Sequence, residues 1–330
     1  MKRREFMALL CGAAAVWPLA AQAQQTGTAR RIGVLVSGAE NDPEMQGRLA
    51  GFRQGLERFG WLDGRNVRVD YRFAAADADR AHELGMELIS LQPDVLVALA
   101  TQPTRSLQKQ TRAIPIVFSG VIDPVGAGLI TSLARPGGNL TGTLFYEETI
   151  VGKWLAMLKE IAPHLERAAL VTNPKTAPYY NYYLRAAESV SPSLGIKVVP
   201  SLVENSADLE RTIGAFARTP NGGLLLSPDA STQVHRDLII ALAARYLLPA
   251  VYWERLFVAA GGLMSYGADY VGMYRQAASY VDRILRGDKP SDLPVQAATK
   301  FETTVNLKTA KALGLTIPAG LLVAADEVIE

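Results

Sequence analysis

The chain has 330 residues, with 34 Lys and Arg against 32 Asp and Glu, so its net charge at neutral pH is +2. A chain this close to neutral has no broad electrostatic attraction for nucleic acid or for an anionic membrane surface, and we expect neither as a partner. The single cysteine, Cys11, excludes an intramolecular disulfide framework and a thiolate metal site.

The first 23 residues have the layout of an export signal. Lys2, Arg3 and Arg4 form a positive segment, residues 8–20 form a short apolar segment, and residues 21–23 (AQA) form a small-x-small cleavage site. The apolar segment is shorter than the roughly 18–20 residues that span a bilayer, so we expect cleavage and not anchoring. The sequence therefore predicts a soluble mature protein in the periplasm.

The export pathway and the fate of Cys11 follow from the same segment. Arg3 and Arg4 resemble the twin-arginine motif, but Lys2 stands where Ser or Thr is usual, so both general and twin-arginine export stay open. Two leucines precede Cys11 where a lipidated cysteine needs small residues, so we expect it to be discarded. Cleavage leaves 307 residues with 31 charges of each sign, because it removes three basic residues and one acidic residue. This length predicts two domains of ordinary size.

Two successive sets of short apolar runs and amphipathic stretches follow the signal. Near-continuous apolar runs predict buried strands, and apolar residues spaced by three and four predict helix faces. The first set predicts strands at 31–37, 67–73, 94–100 and 114–118 and helices at 43–59, 76–91 and 102–111. The second set predicts strands at 167–172, 196–200, 222–226 and 250–252 and helices at 178–190, 207–218 and 232–246. This alternation predicts an α/β protein with two doubly wound lobes, each built on a parallel sheet covered on both faces.

Polar and aromatic residues follow the predicted strands. The carboxyl ends of parallel strands meet at one edge of a sheet, and ligands bind beyond that edge. Two lobes that face each other edge to edge would line one cleft with both sets of loops. The candidate ligand-binding residues are Ser37, Glu40, Thr101, Gln102, Ser119, Asp123, Asn173, Tyr179, Tyr180, Asp229, Trp253, Glu254 and Asp269.

These candidates offer three kinds of contact. The predicted partners of a ligand carboxylate are the hydroxyl groups of Thr101 and Ser119 and free backbone N–H groups at helix starts. The candidate ammonium partners are Asp123, Asp229, Glu254 and Asp269, with Asp229 and Asp123 leading, and the candidate stacking surfaces are Tyr179, Tyr180 and Trp253. Each single residue also has a structural alternative, because such residues cap helices or pack in cores. Both alternatives stay open at this stage.

The sequence contains no motif that indicates catalysis. We find no GxGxxG segment, no P-loop and no HExxH zinc motif. His82, His164 and His235 are isolated, and none follows a predicted strand. We therefore predict no enzymatic activity, no metal and no cofactor, and an enzyme on this fold is the weaker alternative.

Four segments carry a resemblance to a known family. They are IPIVFSGVIDPVGAGL at 114–129, LARPGGNLTG at 133–142, YGADY at 266–270 and VNLKTAKALG at 305–314, the last followed by Ile317 and Pro318. With them the mature chain resembles the ABC-transporter substrate-binding proteins of the tryptophan/tyrosine-binding type. The first loop, 37–43, and the tyrosine-rich segment 176–183 depart from better-known members and leave the identity of the ligand open.

The resemblance implies a type I periplasmic-binding fold. The implied first lobe comprises 30–144 and 268–293, and the second comprises 145–267 and 294–330. The crossings would lie at 141–146, 266–269 and 294–299. A small amino-acid-like or aromatic carboxylate ligand would bind between the lobes and pass to an ABC permease in the inner membrane. We expect a monomer, and a periplasmic sensor that acts on a membrane receptor is the alternative role.

Overall fold

The computed structural model describes residues 29–145 and 150–330, so the export signal lies outside the described residues. The strands are β1 (Arg30–Val36), β2 (Val67–Phe73), β3 (Val95–Leu99), β4 (Ile116–Val121), β5 (Leu140–Leu144), β6 (Arg167–Thr172), β7 (Lys197–Leu202), β8 (Gly222–Leu226), β9 (Ala250–Tyr252), β10 (Met264–Ala268), β11 (Gln296–Ala297), β12 (Phe301–Asn306) and β13 (Glu327–Ile329). The helices are α1 (Pro43–Arg58), α2 (Ala78–Ser90), α3 (Thr101–Gln110), α4 (Ile150–Ile161), α5 (Tyr180–Val190), α6 (Ser206–Phe216), α7 (Ala230–Val234), α8 (Arg236–Arg245), α9 (Arg255–Ala259), α10 (Tyr270–Leu285), α11 (Leu307–Ala312) and α12 (Ala319–Ala324). None of these helices is long and apolar enough to cross a membrane.

The strands form two sheets, one in each lobe. The first sheet has the order β11-β5-β4-β3-β1-β2, and all of its pairings are parallel. The second sheet has the order β13-β12-β10-β9-β8-β6-β7. Two parallel-sheet α/β lobes were predicted from the alternation of strands and helices, and this prediction is confirmed. The antiparallel pairing of β12 with β10 in the second sheet was not predicted.

The predicted elements agree with the structure except in one helix. Buried aliphatic runs produce β6, β8 and β9 at the predicted residues, because both faces of these strands are covered. The helix predicted over 232–246 is instead two helices, α7 and α8, which meet at His235. Asp229 starts α7 with a side-chain cap, and no glycine or proline in the sequence marks the break at His235.

The chain passes between the lobes three times. The first passage follows β5, and residues 146–149 on it lie outside the described residues. The second joins β10 to α10 through Asp269, whose backbone N–H donates to the carbonyl of Lys300 at 3.0 Å on the third passage. The lobe boundary predicted at 293 falls before β11, and the pairing of β11 with β5 places the third passage after Ala297.

Helix α10 returns to the first lobe and packs closely on α1. Two glycines one helical turn apart, Gly51 and Gly55, make this approach possible. A Cβ atom on Gly51 would lie 2.9 Å from the carbonyl oxygen of Val271, and one on Gly55 would lie 2.7 Å from the Cβ of Ala278. The contact fixes the side of α1 that carries Arg48, which therefore faces the other lobe.

Candidate functional site

A cavity lies between the lobes, beyond the carboxyl ends of the central strands. It has two chambers, and the ring of Tyr179 lines both of them. The inner chamber has a volume of about 40 Å³. The outer chamber has a volume of about 190 Å³. Small-molecule sites usually measure about 300–1,000 Å³. The lobes are therefore close together in this structure, and a ligand would enter only if they moved apart.

Aromatic rings form much of the wall of the inner chamber. Trp253 follows β9, and its ring meets that of Tyr270 edge to face at a centroid distance of 5.7 Å. Tyr274, one turn further along α10, meets Tyr270 at 6.4 Å. Two of these rings come from the first lobe and one from the second, so both lobes contribute aromatic rings to the wall of the inner chamber.

Two residues that line the inner chamber each carry a buried hydrogen-bond donor with no partner among the described residues. They are Nε2 of Gln233 and Nε1 of Trp253, and both atoms are buried. An unpaired buried donor costs about 1–3 kcal/mol, so a ligand atom that accepts from either group recovers free energy. Gln233 is not among the predicted site residues, because the sequence predicts one long helix over 232–246, whereas Gln233 lies in the short helix α7 at the cavity.

An ion pair joins the lobes beside the inner chamber. The guanidinium of Arg48, on α1, contacts the carboxylate of Glu254, which directly follows Trp253 in the second lobe. Their side chains are only 4% and 7% exposed, and Arg48 also lies 4.4 Å above the ring of Tyr270. Glu254 is therefore paired with Arg48, and it lines a neighbouring cavity with Asp269. Arg48 lies in mid-helix, where no strand-end pattern marks it.

Asp229 lies at the inner chamber, and its carboxylate also holds its own lobe together. Its oxygens accept from the backbone N–H of Asn173 at 2.6 Å, from the backbone N–H of Ser231 at 2.9 Å and from the hydroxyl of Thr176. Burial raises its pKa, and these hydrogen bonds and nearby His235 oppose the rise. A carboxylate has about four acceptor positions. One position therefore remains for a ligand ammonium, and that role stays a prediction.

The first lobe contributes small hydroxyl residues at three strand ends. Ser37 and Ser119 line the inner chamber, and the hydroxyl of Ser119 also contacts that of Thr143 at 3.0 Å. Thr101 lines the outer chamber, where its hydroxyl accepts from the backbone N–H of Ile122 at 3.2 Å. Between β3 and Thr101, Ala100 has a φ of +98°, a conformation that costs free energy in a residue with a Cβ.

The second lobe places Tyr179 between the chambers. Its hydroxyl donates to the carbonyl of Pro228 at 2.9 Å, and its ring meets Tyr183 edge to face at 6.0 Å. Burial, and secondarily the Asp229 carboxylate, raise the pKa of this phenol well above its usual range, so it stays neutral. On the opposite side of the outer chamber lies Asp123, whose Oδ1 accepts from the backbone N–H of Gly126 at 2.8 Å.

The structure thus gathers some of the predicted residues and separates others. Those that line the two chambers are Ser37, Thr101, Ser119, Asp123, Tyr179, Asp229 and Trp253. Those that do not line either chamber are Glu40, Gln102, Asn173, Tyr180, Glu254 and Asp269.

Each of the residues outside the chambers has a different position. Glu40 is exposed, and Tyr180 is a half-buried residue at the start of α5. Asn173 shapes its own turn, because its Oδ1 accepts from the backbone N–H of Lys175 at 2.9 Å. Asp269 caps α10 through the backbone N–H of Gly272 at 2.8 Å. Gln102 is half-buried, and its Oε1 has no hydrogen-bond partner among the described residues.

Residues 32–329 match the family described as ABC transporter substrate binding protein. The chain belongs to this family. A tyrosine-binding protein of Clostridioides difficile is 24% identical to this substrate-binding protein over 298 residues, covering 88% of this chain and 84% of the relative. The family consists of substrate-binding components of ABC transporters, and this chain is one of them.

Two solved structures have the same fold. A conserved domain protein from Vibrio cholerae is 30% identical, with a TM-score of 0.83 over 92% of this chain and 100% of that chain. An ABC domain from Streptococcus pneumoniae in complex with L-Trp is 22% identical, with a TM-score of 0.85 over 92% and 100% of the two chains. At 22% identity, the likeness to the Streptococcus pneumoniae structure shows only that the two proteins share a fold.

Proposed function

We propose that this substrate-binding protein captures an aromatic amino acid, or a closely related aromatic carboxylate, in the cavity between its lobes. The observation that carries the proposal is the inner chamber, where the rings of Trp253 and Tyr270 meet across the lobes beside two unpaired buried donors. Flat rings favour a flat ligand body, and the donors favour a ligand with an acceptor atom at its far end. The names of the tyrosine-binding relative and of the L-Trp complex support the same class of ligand.

Closure of the lobes is the second part of the proposal. Both chambers take their walls from both lobes, so only the closed form surrounds the ligand. A ligand that contacts both lobes binds the closed form more tightly and shifts the population toward it. We propose that an ABC permease in the inner membrane receives the ligand from this closed form, after the chain has been exported to the periplasm.

Calorimetry on the protein without its export signal tests the proposal. We expect L-tryptophan or L-tyrosine to bind, and L-leucine to bind at least tenfold more weakly, because an aliphatic side chain makes no ring contacts. Native mass spectrometry of the purified protein adds an unbiased test, since a co-purified molecule should be an aromatic carboxylate. A co-purified sugar, or equal affinity for L-leucine, would contradict the proposed ligand class.

The variant Trp253→Leu separates ring contacts from folding. We expect it to bind L-tryptophan at least tenfold more weakly, since it loses the ring contacts. The control is Trp61→Leu, because Trp61 lies outside the cavity and donates from Nε1 to Asp282 at 2.8 Å. The control should retain the affinity of the unmodified protein even if its unfolding midpoint falls.

A further inference from the structure

Two arginines, one from each lobe, line the outer chamber. Arg105 lies on α3 in the first lobe and Arg185 lies on α5 in the second. Within residues 29–145 and 150–330, neither side chain has an ion pair or a hydrogen bond. Arg48 at the inner chamber, by contrast, is paired with Glu254. The two guanidinium groups are therefore available to a ligand.

The two arginines occupy similar positions on their helices. Thr101 and Arg105 are four residues apart on α3, and Asn181 and Arg185 are four residues apart on α5. Residues at this spacing share a helix face, and all four line the outer chamber. The first turns of both helices also reach the chamber, and the amino-terminal end of a helix favours negative charge.

The charges around the outer chamber are unbalanced. Two guanidinium groups face one carboxylate, that of Asp123, which already accepts a hydrogen bond from Gly126. Closing the lobes brings these two like charges to one chamber of about 190 Å³, where their repulsion opposes closure weakly, because Arg185 is exposed and solvent screens its charge. An anion between them turns this repulsion into two charge-assisted interactions, because a guanidinium group matches the geometry of a carboxylate.

We infer that the outer chamber is the carboxylate subsite of the ligand, held from both lobes by Arg105 and Arg185. This inference rests on the proposed function and names where the charge of that ligand lies. Because Tyr179 lines both chambers, a ligand with its carboxylate here extends past that ring into the inner chamber. An amino group next to the carboxylate would lie near Asp123. The sequence predicted that the carboxylate would contact Thr101 and Ser119. The proposed subsite includes Thr101, whereas Ser119 lines the inner chamber.

The subsite couples the charge of the ligand to movement of the lobes. Only the closed form brings both arginines to one anion, so a carboxylate binds that form more tightly than the open form. A neutral analogue of the same shape has the ring contacts but does not relieve the repulsion. The carboxylate is therefore expected to decide whether the lobes close, and the aromatic body decides which carboxylates are accepted.

Calorimetry with a matched pair of ligands tests the inference. The variants are Arg105→Gln and Arg185→Gln, and the ligands are L-tryptophan and L-tryptophanamide, which lacks the carboxylate. We expect each variant to weaken binding of L-tryptophan by about 10- to 100-fold, and to leave binding of the amide within about twofold. Equal losses for both ligands, or no loss for either, would overturn the carboxylate subsite. The controls are Arg112→Gln and Arg218→Gln, exposed arginines of the first and second lobes outside the cavity.

A second measurement needs no organic ligand. The unfolding midpoint is measured while sulfate replaces chloride at constant ionic strength. We expect sulfate to stabilise the unmodified protein and both controls, and to stabilise the variant with both Arg105→Gln and Arg185→Gln much less. If sulfate stabilises through the arginines and no aromatic ligand binds, the anion subsite stands and the proposed function fails. If aromatic ligands bind and neither measurement depends on the arginines, the subsite fails and the proposed function stands.

Discussion

Arg48 and Glu254 form a buried ion pair that joins the two lobes, and the guanidinium group of Arg48 also lies 4.4 Å above the ring of Tyr270. The two charges come from different lobes, so moving the lobes apart would separate them and return both to water. Their attraction offsets the cost of desolvating them only while the cleft is closed. The pair is therefore a contact of the closed form, independent of any ligand.

The single variants Arg48→Met and Glu254→Gln should favour the open form. Each leaves one charge or polar partner buried without compensation, which typically costs about 3–5 kcal/mol, and opening the cleft avoids that cost. We expect a larger radius of gyration by small-angle X-ray scattering and weaker ligand binding. The unfolding midpoint should fall by less than the buried-charge cost of about 3–5 kcal/mol would produce if the cleft stayed closed. The double variant Arg48→Met with Glu254→Leu should recover compactness, and single variants as compact as the unmodified protein would argue against this role.

Two glycines of the same helix should respond in opposite ways to alanine. Gly55→Ala places a Cβ 2.7 Å from that of Ala278, so we expect a loss of about 1–3 kcal/mol in the free energy of unfolding. Gly47 lies on α1 with nothing within 4 Å of its Cβ position, so Gly47→Ala should stabilise by about 0.5–1 kcal/mol. Urea unfolding of both variants measures the difference. A stabilising Gly55→Ala would mean that α10 moves away easily.

Gln233→Met should stabilise the protein and weaken binding of its ligand. The buried Nε2 of Gln233 has no partner, and removing it should raise the free energy of unfolding by about 1 kcal/mol without ligand. Ligand affinity should fall by about tenfold if the ligand accepts from this group. Gln108→Met is the matched control, because Nε2 of Gln108 donates to the carbonyls of Gly128 and Leu129, and its loss should destabilise. Thermal unfolding and calorimetry provide both readouts.

Asp229 should make stability depend on pH in a particular direction. Burial raises its pKa in the folded protein above that in the unfolded chain, so the folded state holds the proton more tightly. Between the unfolded and the folded pKa values, stability therefore falls as pH rises. We expect the difference in unfolding free energy between the unmodified protein and Asp229→Ala to shrink through this interval. Urea titrations at several pH values measure it, and a growing difference would contradict the direction of the shift.

The same Asp229→Ala variant distinguishes the two candidate partners of a ligand ammonium, Asp229 in the inner chamber and Asp123 in the outer chamber. Removing one partner of a buried charge pair typically costs about 2–5 kcal/mol, so L-tryptophan should bind roughly 30-fold or more weakly if Asp229 is the partner, and nearly as before if the ammonium lies beside Asp123. The variant also loses three hydrogen bonds inside the second lobe, so its folding is checked first by circular dichroism. An analogue without the amino group, indole-3-propionate, should lose less affinity than L-tryptophan. Equal losses would mean that Asp229 acts only through the shape of its lobe.

Processing of the chain provides a prediction that needs no ligand. The export signal should be removed after Ala23, which leaves Gln24 at the amino terminus of the exported protein. Intact-mass measurement of the protein from the periplasm identifies the residue at which the signal is cleaved. Retention of Met1, or a lipid on Cys11, would show that the segment is read differently.

The sequence by itself determined the layered architecture and the family. Buried aliphatic runs produce parallel strands wherever both faces are covered, so β6, β8 and β9 begin and end at the predicted residues. The alternating strand β2, at the edge of its sheet, also begins and ends as predicted. Small hydroxyl residues at the strand ends, such as Ser37 and Ser119, were placed at the cleft because parallel strands end at one edge of a sheet. These features depend on local pattern and on chain direction, and both are written in the sequence.

Only the tertiary structure decided which side chains face one another. Arg48, Arg105 and Arg185 all lie inside helices, the first two in the first lobe and the third in the second. No spacing in the sequence relates any of them to the cavity. Glu254 was predicted to meet the ligand, and the tertiary structure pairs it with Arg48 of the other lobe. Contacts between lobes depend on the angle at which two separately folded units meet. That angle depends on the three passages of chain and on contacts between residues far apart in the sequence, so it is absent from any local pattern.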